Sequence, residues 1–110
     1  MKIKDFLNDQ YRVLTENNTT ENSFSGIYVT DLLSQAIHSA KPGNIFVTII
    51  SNLNSLAIAV MLDLPCLIIS AQKEVSQTLI DKANEEGIAV ISTKLHTHQI
   101  MIDLHDRGFI

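Results

Sequence analysis

The residues best suited to chemistry lie near the carboxyl end of the 110-residue chain, where His96, His98 and His105 stand close to Asp103 and Asp106. Imidazole and carboxylate groups hold hydrolytic metals, and a water on such a metal attacks esters, amides or phosphoesters. His96, His98 and Asp103 would be the set used by a small metal-dependent hydrolase. Their spacing mixes two geometries. His98 and His105 lie two helical turns apart, whereas His96 and His98 converge only on a strand or a rigid loop. No third ligand in a fixed place and no group to orient the imidazoles can be named. Solvated positions on a helix surface are therefore the stronger expectation, and no metal site is assigned.

Cys66 is the only cysteine, in the apolar run Cys66-Leu67-Ile68-Ile69, with no histidine or cation beside it to favour a thiolate. It is expected to pack rather than react. A single cysteine rules out an internal disulfide and suits a reducing compartment. Neither G-x-G-x-x-G nor G-x-x-x-x-G-K-[ST] occurs, so no cofactor is expected and no catalytic residue is assigned.

The chemistry left is neutral hydrogen bonding. Thr30-Asp31, Ser51-Asn52, Ser70-Ala71-Gln72 and Ser92-Thr93 each follow an apolar, β-rich run, with Lys73 and Lys94 as nearby cations. In an open parallel sheet those strand ends border the crevice where ligands bind. The same residue types are what helix amino termini need as caps, so two roles stay open: capping, or contact with a small polar ligand. Asp31, Asn52 and Asn54 would contribute to such a site, with Asp31 selecting a hydroxyl or amine.

The elements that must position these groups follow from periodicity. Ile3, Phe6 and Leu7 have one-turn spacing, Tyr11–Leu14 reads as a short strand, and the polar stretch Thr15–Ser23 reads as an exposed loop. After the strand Ile27–Val29, Thr30 or Asp31 would cap a helix with Leu32, Leu33, Ala36, Ile37 and Ala40 on one face, stopped by Lys41-Pro42-Gly43. Ile45–Ile50, Leu67–Ile69 and Ile88–Ile91 read as strands buried on both faces. Asn54–Asp63 and Glu74–Glu86 have helical length, with Gly87 placed to end the second. A last helix spans Thr97–Arg107, with Ile100, Met101 and Leu104 inward and Gly108 as its stop. Alternating strands and helices predict a single α/β domain over residues 1–110: three layers, a mostly parallel sheet of four or five strands, and helices on both faces.

Two compositional facts bear on partners. Charged residues make up 18% of the chain, below the usual quarter, and Leu56–Leu62 carries no polar side chain. A helix apolar all round needs cover all round, from its own chain or from a second copy. On the second reading Leu56, Ile58, Ala59 and Met61 form a homodimer interface. A net charge of −4 offers no footprint for nucleic acid or an anionic membrane. The apolar runs are too short to cross a bilayer, and Asp5 and Asn8 interrupt any leader, so a cytoplasmic location is expected.

The run Ser25-Gly26-Ile27-Tyr28-Val29-Thr30-Asp31-Leu32-Leu33-Ser34, with Ile45-Phe46-Val47-Thr48-Ile49, Asn54, Ala57-Ile58-Ala59-Val60 and Ala83-Asn84-Glu85-Glu86-Gly87-Ile88, resembles the DRTGG domain family over nearly the whole chain. The name-giving motif is altered: Glu21-Asn22 replaces its acidic-basic start and Gly26-Ile27 its paired glycines. The Gly-x-Tyr-Val-x-Asp-Leu-Leu segment matches better, and from it Gly26 and Thr30 join Asp31, Asn52 and Asn54 as candidate ligand-binding residues. Similar domains sit inside regulated pyrophosphatases and phosphotransacetylases, are related to amino-terminal domains of HPr kinases, and also occur alone. In those proteins the attached domains carry catalysis. The resemblance thus implies a non-catalytic module associated with dimerisation and regulation. With the apolar helix and the neutral polar rim it gives the expectation of a homodimeric regulatory or assembly module that senses a small polar metabolite or controls a partner enzyme, with the hydrolase as the alternative.

Overall fold

In the computed structural model, which describes residues 1–110, five strands form one sheet: β1 (Arg12–Val13), β2 (Ile27–Val29), β3 (Ile45–Thr48), β4 (Cys66–Ile69) and β5 (Ala89–Ser92). Their spatial order is β1-β5-β4-β3-β2. β2 to β5 are parallel neighbours, and β1 runs antiparallel along β5 with Arg12 opposite Ser92 and Val13 opposite Ile91. The parallel strands follow one another across the sheet. Right-handed crossovers therefore place all three intervening helices on one face. These are α1 (Leu33–Ser39), α2 (Leu53–Met61) and α3 (Gln77–Glu86); α4 (Thr97–Asp106), with the amino-terminal segment, covers the other.

The two-residue period of each strand divides its side chains between two cores. Phe46, Leu67, Ile69 and Val90 meet Leu56, Ile58, Ala59, Leu79 and Ala83 from the α1–α3 layer. Ile45, Val47, Cys66, Ile68, Ala89 and Ile91 meet Ile100 and Leu104 of α4 together with Ile3, Phe6 and Phe24. This is the expected three-layer α/β architecture. Asn52 caps α2 by accepting from the Asn54 amide at 3.0 Å, and Ser76 caps α3 by accepting from the Leu79 amide at 3.2 Å. Gly87 ends α3 at φ +70°, letting the Ile88 amide return to the Ala83 carbonyl. No helix is long and apolar enough to cross a membrane.

Three local expectations are corrected. The stretch Thr15–Ser23 is not an exposed loop. It contains a 3-10 turn, Asn17–Glu21, and Thr15, Thr19 and Thr20 are buried. Their hydroxyls satisfy nearby groups: Thr19 donates to the Glu16 carbonyl, Thr20 to the Asn17 carbonyl, and Thr15 accepts from the Val90 amide at 3.1 Å. The first helix starts late because the Thr30 hydroxyl accepts from the Leu32 amide in a local turn; Leu32 and Ile37 remain exposed, and Ala36 alone of α1 is buried. Seven residues make two turns and bury only a narrow stripe. In α4, Ile100 and Leu104 face inward, but Met101 is exposed because four-residue spacing leaves it off their stripe.

Candidate functional site

At the carboxyl ends of β2 and β3 the polar side chains are already engaged. One carboxylate oxygen of Asp31 accepts from the Ile49 amide at 2.8 Å and from the hydroxyl of fully buried Thr48 at 3.0 Å. The Thr48 hydroxyl also accepts from the Ile50 amide, so β3 stops there. Asn52 spends its side-chain oxygen on its cap, and Thr30 spends its hydroxyl oxygen on its turn, whereas Asn54 is exposed on the first turn of α2. Asn52 thus caps α2, whereas neither Thr30 nor Asp31 caps α1 as expected: Asp31 ties β2 to the end of β3 and Thr30 holds a local turn. Gly26 does not belong with them. It precedes β2, where its carbonyl accepts from the Ile45 amide, at the opposite edge of the sheet. The three residues of β2 lie between it and Thr30, which at four strand rises puts the two about 13 Å apart.

A crevice opens in a parallel sheet where successive connections leave for opposite faces. The connections after β2, β3 and β4 all lead to the α1–α3 layer, and only the one after β5 leads to α4. The divergence therefore falls between β4 and β5. There Ala71 and Gln72 hold left-handed backbone, at φ +58° and +55°, a conformation that side-chain-bearing residues adopt at a cost. It directs the Ala71 amide to the Leu95 carbonyl and the Gln72 amide to the Thr93 carbonyl, both at 2.8 Å, joining the two loops.

Beside this junction, toward β1, lies a pocket of about 420 Å³. Asp9, Gln10 and Arg12 line one side and Gln72, Ser92, Thr93 and Lys94 the other, with no apolar side chain among them. The Thr93 hydroxyl donates to the Gln10 carbonyl at 2.6 Å and accepts from the Leu95 amide at 3.1 Å, fixing both walls. Gln72, Ser92, Thr93 and Lys94 were visible in the sequence as strand-end residues. Asp9, Gln10 and Arg12 were not, because an antiparallel edge strand brings them there from the far end of the chain. A cation inside the apolar run Tyr11–Leu14 is the one signal that could have marked Arg12.

A second concavity, of about 440 Å³, separates α2 from α3 and is mainly apolar: Leu53, Ala57, Val60 and Met61 face Thr78, Lys82 and Glu86. Leu53 is 47% exposed and Met61 58%. Leu56, Ile58 and Ala59 are instead buried in the chain's own core, so of the four residues expected to form an interface only Met61 reaches the surface. Helical geometry explains the split: Ser55, Leu56, Ile58 and Ala59 face the sheet, and the stripe 53, 57, 60 and 61 faces away.

In the carboxyl-terminal cluster only Asp103 has a structural role, and His96, His98, His105 and Asp106 lie exposed on or beside α4. Asp103 accepts from the Tyr11 hydroxyl at 2.6 Å and from Arg107 through two nitrogens, at 2.8 and 3.1 Å. The His96 and His98 rings stack 6.3 Å apart, and no three His, Cys, Asp or Glu side chains come together in a way that could hold a metal. The hydrolase set is therefore not assembled. Burial pushes the Cys66 thiol well above its usual range, consistent with inert packing.

The Arg107 guanidinium holds the Asp103 carboxyl below the usual range, and burial, with the Asp103 bond, raises the Tyr11 phenol. A depressed carboxyl pKa adds stability above the unfolded value of about 3.9, and that stability is lost as pH falls through the lower folded value. Urea midpoints measured between about pH 5 and pH 2 should therefore drop for the wild type and drop less steeply for Asp103→Asn. Parallel acid limbs would show that this carboxylate carries no linkage.

Comparison with curated proteins finds no match. Among solved structures, the CBS and DRTGG domains of the regulatory region of Clostridium perfringens pyrophosphatase, complexed with the activator diadenosine tetraphosphate, match with a TM-score of 0.71 and 16% identity. The match covers 84% of this chain and 40% of that one, so the chain spans well under half of that region, and the likeness is one of fold. The profile described as HPr Serine kinase N terminus matches residues 48–106, from the end of β3 to the end of α4. Fold and profile together bear out the DRTGG-like resemblance, and because the profile matches more than half of its length, the chain belongs to the HPr serine kinase N-terminus family.

Proposed function

We propose that the chain is a cytoplasmic, non-catalytic regulatory and assembly module: it pairs with a second copy through the outer stripe of α2, takes up a small polar metabolite at the carboxyl edge of the sheet, and controls a partner enzyme. The observation that carries this reading is the stripe Leu53, Ala57, Val60 and Met61, exposed along one helix and bordering a groove. A two-fold contact sets the same patch against itself, which requires an apolar centre with both signs of charge at its margin. Lys82 and Glu86 supply that margin. Exposed Ile37 on neighbouring α1 and Leu32 just before that helix extend the apolar character of this layer. The commitment of Asp103, Asp31 and Cys66 to structural roles favours a module without catalysis, and the shared fold with a pyrophosphatase regulatory region favours regulation.

Light scattering should give the mass of a dimer at tens of micromolar, a range where an interface worth about 7 kcal/mol is well populated. A monomer mass at that concentration would overturn the assembly half of the reading.

A further inference from the structure

We infer that the polar pocket between β1 and the loop after β5 binds a small hydroxylated anion, its phosphate or carboxylate held by Arg12 and Lys94. The inference supplies a ligand class for the metabolite-sensing half of the proposed function and is independent of how α2 pairs.

Four of the eight lysines and arginines are neutralised within the chain: Lys2 and Lys4 by Glu21, Lys82 by Glu85 and Glu86, and Arg107 by Asp103. Arg12, Lys41, Lys73 and Lys94 form no ion pair, and three of these four gather at one place. Arg12 and Lys94 line the polar pocket with Asp9 as its one carboxylate, while Lys73, beside Glu74, lines the adjoining concavity that shares Arg12 and Ser92. In a chain of net charge −4, unpaired cations converging on a concave site form a local field for an anion.

The site is also built. The β1–β5 register fixes Arg12 opposite Ser92. Thr93 joins the Lys94 loop to the Gln10 backbone, and the left-handed pair Ala71-Gln72 is held by two backbone bonds to that same loop. Strained backbone of this kind persists where its surroundings determine it, often at ligand sites.

The lining sets the ligand class. A guanidinium fork matches carboxylate or phosphate oxygens in pairs, and the Lys94 ammonium adds a point charge. Asp9, Gln10 and Gln72 can exchange hydrogen bonds with hydroxyls. No hydrophobic side chain lines the pocket, which favours a small polar ligand over a large aromatic one, and about 420 Å³ is near the small end for ligand sites.

The test is an amide-resolved NMR titration of the full chain with glycerol 3-phosphate, glycerate and glycerol, each to about 10 mM, ten times a Kd of about 1 mM. At least one of the two anions should shift amides of residues 9–12, 71–73 and 92–95, identifying phosphate or carboxylate as the bound group, while glycerol leaves them in place. Arg12→Gln with Lys94→Gln should weaken that binding about tenfold or more, and Lys41→Gln, at the opposite edge, should leave it unchanged. No shift with either anion overturns the inference, as does binding that survives the double substitution. Shifts centred on Thr30, Asp31, Asn52 and Asn54 would also overturn it, leaving a metabolite site at β2 and β3. Light scattering on the same samples reports the assembly reading separately.

Discussion

Phe6→Ala is expected to lower the unfolding free energy by about 3–5 kcal/mol, a large part of the roughly 5–15 kcal/mol available to a domain of this size. Phe6 is fully buried, and its ring meets three others nearly edge to face: Tyr11 at 5.5 Å, Phe24 at 5.7 Å and Phe109 at 6.2 Å. Such pairs add about 0.5–1.5 kcal/mol each beyond the area they bury. Arg107 donates to the Phe6 carbonyl at 2.9 Å, and its guanidinium lies 5.3 Å from the centre of the Phe109 ring, so the same cluster ties α4 to the amino-terminal segment. Together these groups close the face of the sheet that α4, a single helix, cannot cover alone. Denaturant unfolding followed by circular dichroism checks the value. A loss below about 1 kcal/mol would mean that the cavity collapses and the segment is a dispensable cover.

The parts of the fold that were legible are those governed by local rules. Ile45–Thr48 and Cys66–Ile69 are apolar at nearly every position because both faces of β3 and β4 are covered, and Ser76 and Gly87 mark the ends of α3 by their own backbone chemistry. What failed depended on distant partners. Thr15, Thr19 and Thr20 look like loop residues until β5 supplies the Val90 amide and the turn folds over its own carbonyls. Asp31 looks like a helix cap until β3 places the Ile49 amide within reach. In Leu56–Leu62 the uniform apolarity that suggested an interface also concealed its direction, since a segment without polar positions has no periodic contrast to show which side meets the sheet. The polar pocket was half legible for a related reason: its parallel-strand wall follows the crevice rule, and its other wall arrives on an antiparallel edge strand that the rule does not describe.

The two sides of α2 should respond oppositely to the same new charge. Ile58 is only 5% exposed and belongs to the core cluster that includes Phe46 and Leu67. Ile58→Lys would bury an ammonium with no acceptor prepared for it, at a cost of several kcal/mol, comparable to the stability of the whole domain. The cooperative thermal transition should vanish. Met61 lies on the outer stripe and is 58% exposed, so Met61→Lys keeps its charge in water within one chain and buries it only where two copies meet. That variant should retain the wild-type circular dichroism spectrum and melting transition of a folded monomer while light scattering shows half the dimer mass. Leu53→Glu, eight residues earlier on the same stripe and 47% exposed, should do the same by like-charge repulsion across the two-fold seam. If both outer variants stay dimeric while Ile58→Lys unfolds, α2 faces the sheet as described but the seam lies on another surface, and Ile37 of α1 with Leu32 just before that helix become the residues to change.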